Sequence, residues 1–346
     1  MDGAVTKNVK RINLALQGGG AHGAFTWGVL DRILEDDRIE IAAISGTSAG
    51  AMNGAALKAG MLNGGREGAR ENLNWFWGQV GAVKDEAMSQ WMDIMSPATS
   101  ILSAAMAYSP AYAALDMTTR MMSPYGSGPF YSNALKPIVD QMSYDAVCAE
   151  TGPELHVCAT NVRTGKIKIF KGDGITSEAL MASACLPTMY KAVEIDGEAY
   201  WDGGYTGNPA LFPLFEAGLP EDIMVININP LHREEVPTDS QAIQNRINEI
   251  SFNSSLFREL RAINFVKRLL AAGSMPKGAM KNVLVHMVSD DVLMNELSVA
   301  TKSVPNPVVL ARLKAAGRAA ADTFISNHYN DLGERDTVDL QEMFSE

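Results

Sequence analysis

The sequence is poor in several things at once. Cysteine occurs three times in 346 residues and histidine five times, and lysine plus arginine (29) fall short of aspartate plus glutamate (40). No run approaches the roughly 20 apolar residues that cross a bilayer, so no transmembrane helix is expected. The opening stretch MDGAVTKNVKRINLALQGGG has no long apolar segment followed by a cleavage site. That argues against a secretory leader and for a cytoplasmic location. Cys148, Cys158 and Cys185 are an odd number without metal-ligand spacing, the pattern of reduced thiols rather than of disulfides or a zinc site. With neither a metal cluster nor a calcium loop in the sequence, no cofactor is expected. A net charge of −11 and the lack of any basic block speak against nucleic acid as a partner.

What is present is core-forming material, 47% of the chain, enough for one large domain or two small ones. Strand-like runs (RINLAL, IAAIS, ELHVCAT, KIKIF, DIMVINI) alternate with helix-like ones (AFTWGVLDRILED, SAGAMNGAALKAG, REGARENLNWFWGQV, SNALKPIVDQM). Such alternation predicts an α/β sheet covered by helices on both faces. EAYWDGG reads as a further strand stopping at a glycine pair. After INPLHREEVPTDS the pattern turns mainly helical, broken by one strand in NVLVHMV and closed by VVLARLKAAGRAAADTFISNH.

Two stretches leave alternatives open. Residues 86–131 hold Met88, Met92, Met95, Met106, Met117, Met121 and Met122, cut by prolines into short helices. Flexible methionines suit a lid or acyl-chain tunnel, and equally the core of a small helical subdomain. The run from Ile243 to Leu270 is amphipathic and carries Arg246, Arg258, Arg261, Lys267 and Arg268. It suits an anionic membrane surface, or a core-packed helix with a solvated basic face.

The chemistry gathers around glycines. In IAAISGTSAGAMNGA an apolar strand runs into a helix through Gly46-Thr47-Ser48-Ala49-Gly50, a G-x-S-x-G pattern. That pattern holds its serine strained at the apex of a strand-to-helix turn, at a helix N-terminus that favours negative charge; an ordinary N-cap is the plainer account. Upstream, Gly18-Gly19-Gly20-Ala21-His22-Gly23 joins another strand to a helix. Its G-x-G-x-x-G spacing suggests a dinucleotide site, but the next strand ends in Gly46-Thr47-Ser48, not in the acidic residue such a site needs. If the turn lies beside Ser48, the amides of Gly19 and Gly20 become candidates for an oxyanion hole.

A serine hydroxyl attacks poorly without a base. His232, after a strand end, is the best placed of the histidines; His286 and His328 suit packing or surface roles, and His156 lies inside a strand. Asp202 in YWDGGYTGNP is the other candidate, although Asp-Gly is also an ordinary turn signal.

Together the glycine loop at 18–23, the elbow at 46–50 and Asp202-Gly203-Gly204 resemble the patatin-like phospholipase family. CATNVRTGKIKIF, ALMASACLPTMYKAV and GGYTGNP match its further segments in order, over residues 10–235. The resemblance implies a three-layer α/β/α sandwich with a mainly parallel central sheet. It also implies a single domain over 1–346: a core at about 10–235, a lid inserted at about 86–131 and a helical C-terminal extension from 236. It further implies a Ser–Asp dyad without histidine, Ser48 the nucleophile and Asp202 its base. Gly18, Gly19, Gly20 and Ala21 would form the oxyanion hole, supported by His22, Gly23, Gly46, Gly50, Gly203 and Gly204.

The implied activity is hydrolysis of fatty acyl esters (phospholipid, lysophospholipid or neutral lipid) through an acyl-serine, without a metal and with peripheral contact to membranes. A thioesterase, acyltransferase or polyester hydrolase would use the same dyad, and a non-catalytic lipid-binding protein the same fold. One departure stands out: His22 occupies the place of the loop's usual Lys or Arg. As a helix-start histidine it needs no function. Beside the oxyanion it would make activity depend on pH near neutrality.

Overall fold

The structure, a computed structural model, describes residues 9–83, 98–112, 114, 123–126, 132–234, 236–238, 240–276 and 278–345. Its centre is an eight-stranded sheet. The strands are β1 (Lys10–Leu16), β2 (Ile39–Thr47), β3 (Glu154–Asn161), β4 (Ile167–Lys171), β5 (Val193–Ile195), β6 (Glu198–Asp202), β7 (Asp222–Ile226) and β8 (Leu284–Val288). They lie in the order β5-β6-β3-β2-β1-β7-β8, with β4 also paired to β3. From β3 to β8 neighbours are parallel, while β4, β5 and β6 pair antiparallel.

Among the described residues the helices are α1 (Gly23–Leu34), α2 (Ala49–Val80), α3 (Thr99–Ala107), α4 (Lys136–Val139), α5 (Tyr144–Cys148), α6 (Ser177–Ser183), α7 (Ser240–Ala271), α8 (Asp291–Glu296), α9 (Val299–Ser303), α10 (Pro307–His328) and α11 (Leu340–Phe344). None is long and apolar enough to cross a membrane.

Alternation along the central strands makes two cores. Ile12, Leu14 and Leu16 of β1, with Met224 and Ile226 of β7, face α1, α2 and α10. Ala15, Ile223 and Val225 point the other way, onto Leu256, Leu260 and Ile263 of α7. Successive side chains of a strand leave on opposite faces, so a strand covered on both sides is apolar over most of its length.

The two helical runs expected at 48–60 and 66–80 join in α2 across a kink, where the backbone leaves helical geometry at Gly64 and Gly65. The C-terminal region is part of the body. Strand β8 pairs with β7 to extend the sheet, and α10 packs on α1 so closely that Gly317 and Gly28 leave no room for a side chain against the opposite backbone. Most of the stretch expected as a lid lies outside the described residues. Within it, α3 buries Thr99, Ser103 and Ala107, and the Ser103 hydroxyl accepts a hydrogen bond from Ser298 N–H at 2.9 Å.

Candidate active site

Sheet register brings Ser48 and Asp202 together. A strand has two edges, and β4 occupies one edge of β3 from His156 to Thr160. Strands β2 and β6 therefore share the other edge end to end. The first pairs Thr47 with Cys158, and the second, arriving from the opposite direction, pairs Asp202 with Ala159. The chain must turn off both strands at that meeting point. Ser48 follows directly on β2, and Gly203 follows on β6 with its backbone against the Cys158 carbonyl, where a side chain would not fit.

Ser48 has φ 54° and ψ −121°, a conformation that costs an L-residue of order 1–3 kcal/mol and needs its surroundings to hold it. The holding contacts are visible. Ser48 N–H donates to Ser183 Oγ at 2.9 Å, and Ser48 C=O accepts from Met52 N–H at 3.1 Å, the first bond of α2. Gly46 and Gly50 face each other inside the turn, with Gly50 pressed on the Leu16 backbone, while the space beside Gly23 is taken by Ala49 Cβ.

Asp202 is 3% exposed. Its carboxylate accepts a hydrogen bond from Gly204 N–H at 2.7 Å, and the Ser48 hydroxyl beside it favours the ionised form. Burial outweighs both and pushes its pKa up to about 7. The backbone is pinned on both sides, Asp202 N–H to Cys185 C=O at 2.8 Å and Asp202 C=O to Thr160 Oγ1 at 2.8 Å.

The glycine loop lies against the serine: a side chain at Gly18 would begin 2.8 Å from Ser48 Cβ. Gly18, expected among the oxyanion donors, has its own N–H bonded to Asn208 Oδ1 at 2.6 Å, and its carbonyl accepts from Asn229 Nδ2 at 2.9 Å. It anchors the loop and has no free donor. Gly19 C=O takes the N–H of His22 at 3.2 Å, which closes a tight turn over Gly20–His22, Ala21 included. The amides of Gly19 and Gly20 have no partner among the described residues.

A model of the family described as Patatin-like phospholipase matches residues 14–215, more than half of the chain. The chain belongs to this family. Among solved structures, this patatin-like chain is similar to VipD from Legionella pneumophila at 14% identity and a TM-score of 0.43, over 96% of this chain and 72% of that one. No curated protein matches it.

No histidine bonds to Ser48 or Asp202 among the described residues. His286 Nε2 pairs with Asp222 Oδ1 at 2.9 Å, but Asp222 opens β7 whereas Ser48 follows the end of the parallel strand β2, so that pair sits at the opposite end of the sheet. His328 binds Asp331, His156 lies buried in β3 beside Glu154, and His232 is exposed.

The expected pH switch at His22 is corrected by its surroundings. The ring is buried, and burial first and Lys302 second hold its pKa well below the ordinary value, so it stays neutral. Thr301 Oγ1 donates to Ser298 C=O at 2.6 Å and therefore accepts from His22 Nε2–H at 2.7 Å. His22 Nδ1 is left without a partner among the described residues. The ring faces α9.

A cation nevertheless stands behind this patatin-like loop. Lys302 of α9 is half-buried, donates to Asn229 Oδ1 at 2.9 Å, and has its pKa pushed down to about 8 by loss of solvent around the ammonium. Gln17, Asn208, Asn229, Asn253 and Lys302 form one polar network around Gly18. Sequence reasoning missed Ser183, Asn229 and Lys302 as parts of the site. Ser183 lies in the quoted ALMASACLP segment, and Asn208 in GGYTGNP, but nothing local to Asn229 or Lys302 signals its role.

Proposed function

We propose that this patatin-like protein is a lipid acyl hydrolase that cleaves carboxylic esters of fatty acyl lipids on Ser48 and Asp202. The observation that carries the reading is the meeting of β2 and β6 on one edge of β3, which sets the Ser48 elbow beside the buried carboxylate of Asp202, whose pKa is pushed up to about 7. A base is most effective when its pKa lies near the working pH, and ordinary aspartates titrate about three units lower.

In the first step Ser48 Oγ attacks the ester carbonyl as its proton passes to Asp202. The oxyanion meets the amides of Gly19 and Gly20, donors held in place by the anchored turn. Collapse breaks the C–O bond, and Asp202 returns the proton to the departing alcohol, leaving an acyl-serine. Water then attacks with Asp202 again as base, and the fatty acid and free serine are restored. The N-terminus of α2 and the ammonium of Lys302 favour the same negative charge.

Labelling with a fluorophosphonate, followed by hydrolysis of p-nitrophenyl esters of graded length beside defined phospholipids, tests this. Wild type labels at Ser48 and turns over acyl esters, and Ser48→Ala does neither. Undiminished labelling of Ser48→Ala removes Ser48 as the nucleophile.

A further inference from the structure

Helix α7 carries two faces with different partners. Inward, Leu256, Leu260 and Ile263 fill the second core. Toward the site, Phe252 packs on Gly204 and, edge to face, on Tyr205, while Ser255 Oγ accepts from Asn208 N–H at 3.0 Å. The remaining stripe faces solvent. Ile243, Ile247 and Ile250 are 41%, 53% and 55% exposed, and Arg258, Arg261, Phe265 and Arg268 continue it. Their spacing keeps all of them on one side of a helix, over a length of about 38 Å at 1.5 Å per residue.

The stripe has a charge opposite to the rest of the chain. Both carboxylates of α7 point elsewhere: Glu249 pairs with Arg233 and Arg246, and Glu259 accepts the N–H groups of Leu211 and Phe212. Arg258 and Arg261 form no salt bridge among the described residues, although the protein carries a net charge of −11. Between the apolar and basic halves lies a cavity of about 310 Å³ lined by Leu231, Ile250 and Phe257, with Arg258 and Arg261 at its edge. Three neighbouring exposed isoleucines followed by arginines without an ion pair among the described residues complement a surface with an apolar interior and phosphate headgroups.

We propose that this stripe of α7 is the surface by which the protein docks on an anionic lipid bilayer, with the isoleucines entering the headgroup region and Arg258 and Arg261 on lipid phosphates. The proposal deepens the acyl-hydrolase reading, since α7 touches the Asp202 turn through Phe252. Binding is nonetheless measured without catalysis.

The full chain carrying Ser48→Ala is sedimented with vesicles of phosphatidylcholine alone and of phosphatidylcholine with roughly 30% phosphatidylglycerol, a charge density at which each surface arginine is worth about five- to tenfold in binding. Strong binding is expected on the anionic vesicles only, lost at high salt. R258Q/R261Q lowers it by about thirtyfold, and I247S/I250S lowers it by more than about tenfold with the arginines intact. Circular dichroism of each double variant, and short soluble ester hydrolysis by the same variants in the Ser48 form, check that the fold persists.

No sedimentation of the Ser48→Ala chain, or equal binding to both vesicles with R258Q/R261Q unaffected, overturns the proposal. So does light scattering that shows I247S/I250S splitting a dimer while vesicle binding is unchanged, because the stripe then covers a second copy. Vesicle binding without ester turnover by the Ser48 form would sink the hydrolase reading and leave the surface standing.

Discussion

The carbonyl oxygen of Lys302 occupies the place where a side chain at Gly20 would begin, so a residue late in the chain shapes a turn near its start. Gly20 has φ 58° as well, and an alanine there meets both a strained backbone and a blocked space. Gly20→Ala is expected to reduce kcat for ester hydrolysis by at least about tenfold, because oxyanion donors act only when aimed correctly. Stopped-flow labelling by a fluorophosphonate would show the same loss. An unchanged labelling rate would separate this turn from catalysis.

Lys302 also gives the fold a particular pH response. Its ammonium is harder to keep protonated in the folded state (pKa about 8) than in the unfolded chain, where it titrates near 10.5. The unfolded state therefore binds more protons between those values, and this residue's contribution to stability rises with pH from about 8 to about 10. Lys302→Met should lose that rise while leaving Asn229 Oδ1 without its donor, at a cost of about 1–3 kcal/mol. Urea melts of both proteins at about pH 7.5 and about pH 9.5 make the comparison, with a smaller gain across the interval expected for the variant.

Asp202 carries the opposite sign. Its carboxyl stays protonated up to about pH 7 in the fold, whereas an unfolded aspartate ionises near 3.8. Turnover should climb through pH 7 and level off above it, as the base becomes available. Stability should fall over the interval from about 4 to 7, because there the folded state holds the extra proton. Asp202→Asn is expected to abolish turnover and remove that fall, so its Tm relative to wild type rises between about pH 5 and about pH 8. Glu259 is also raised to about 7, and Glu259→Gln separates the two, since it should keep the limb in the rate profile.

Ser183 holds the strained serine by its peptide N–H. Ser183→Ala leaves that N–H without its acceptor, at a cost of about 1–3 kcal/mol in unfolding free energy. The loss should fall on kcat more than on KM, since the substrate does not touch Ser183 in this reading. A change confined to KM would place Ser183 in the binding surface instead.

His22 should be silent in the rate profile. Thr301→Val deprives His22 Nε2–H of its acceptor and should destabilise the protein by about 1–3 kcal/mol without moving the limb near pH 7. A shifted limb in that variant would return His22 to the chemistry.

Much of the architecture is legible locally. Strands β1, β2, β3 and β7 stand out in the sequence because both faces are covered, which makes most of their central residues apolar. Strand β5 carries no such signal, being three half-buried or exposed residues whose pairing with β6 depends on a turn at Asp196-Gly197. Helix α7 has two readings in the sequence, and its packing follows the core-packed one: the buried half lies on the sheet while the Ile243 stripe stays exposed.

The amino-acid order alone determined the elbow at Ser48, the glycine loop and the Asp-Gly-Gly turn, because each needs particular small or charged residues within a few positions of one another. Only the tertiary structure decided that β2 and β6 end head to head on one edge of β3, that Gly18 has no amide to offer, and that Lys302 stands behind the loop. These depend on register and burial, through contacts that join Thr47 to Cys158, Ala159 to Asp202, Gly18 to Asn208 and Gly20 to Lys302. No short stretch of sequence contains both partners of such a contact, so no local pattern can encode it.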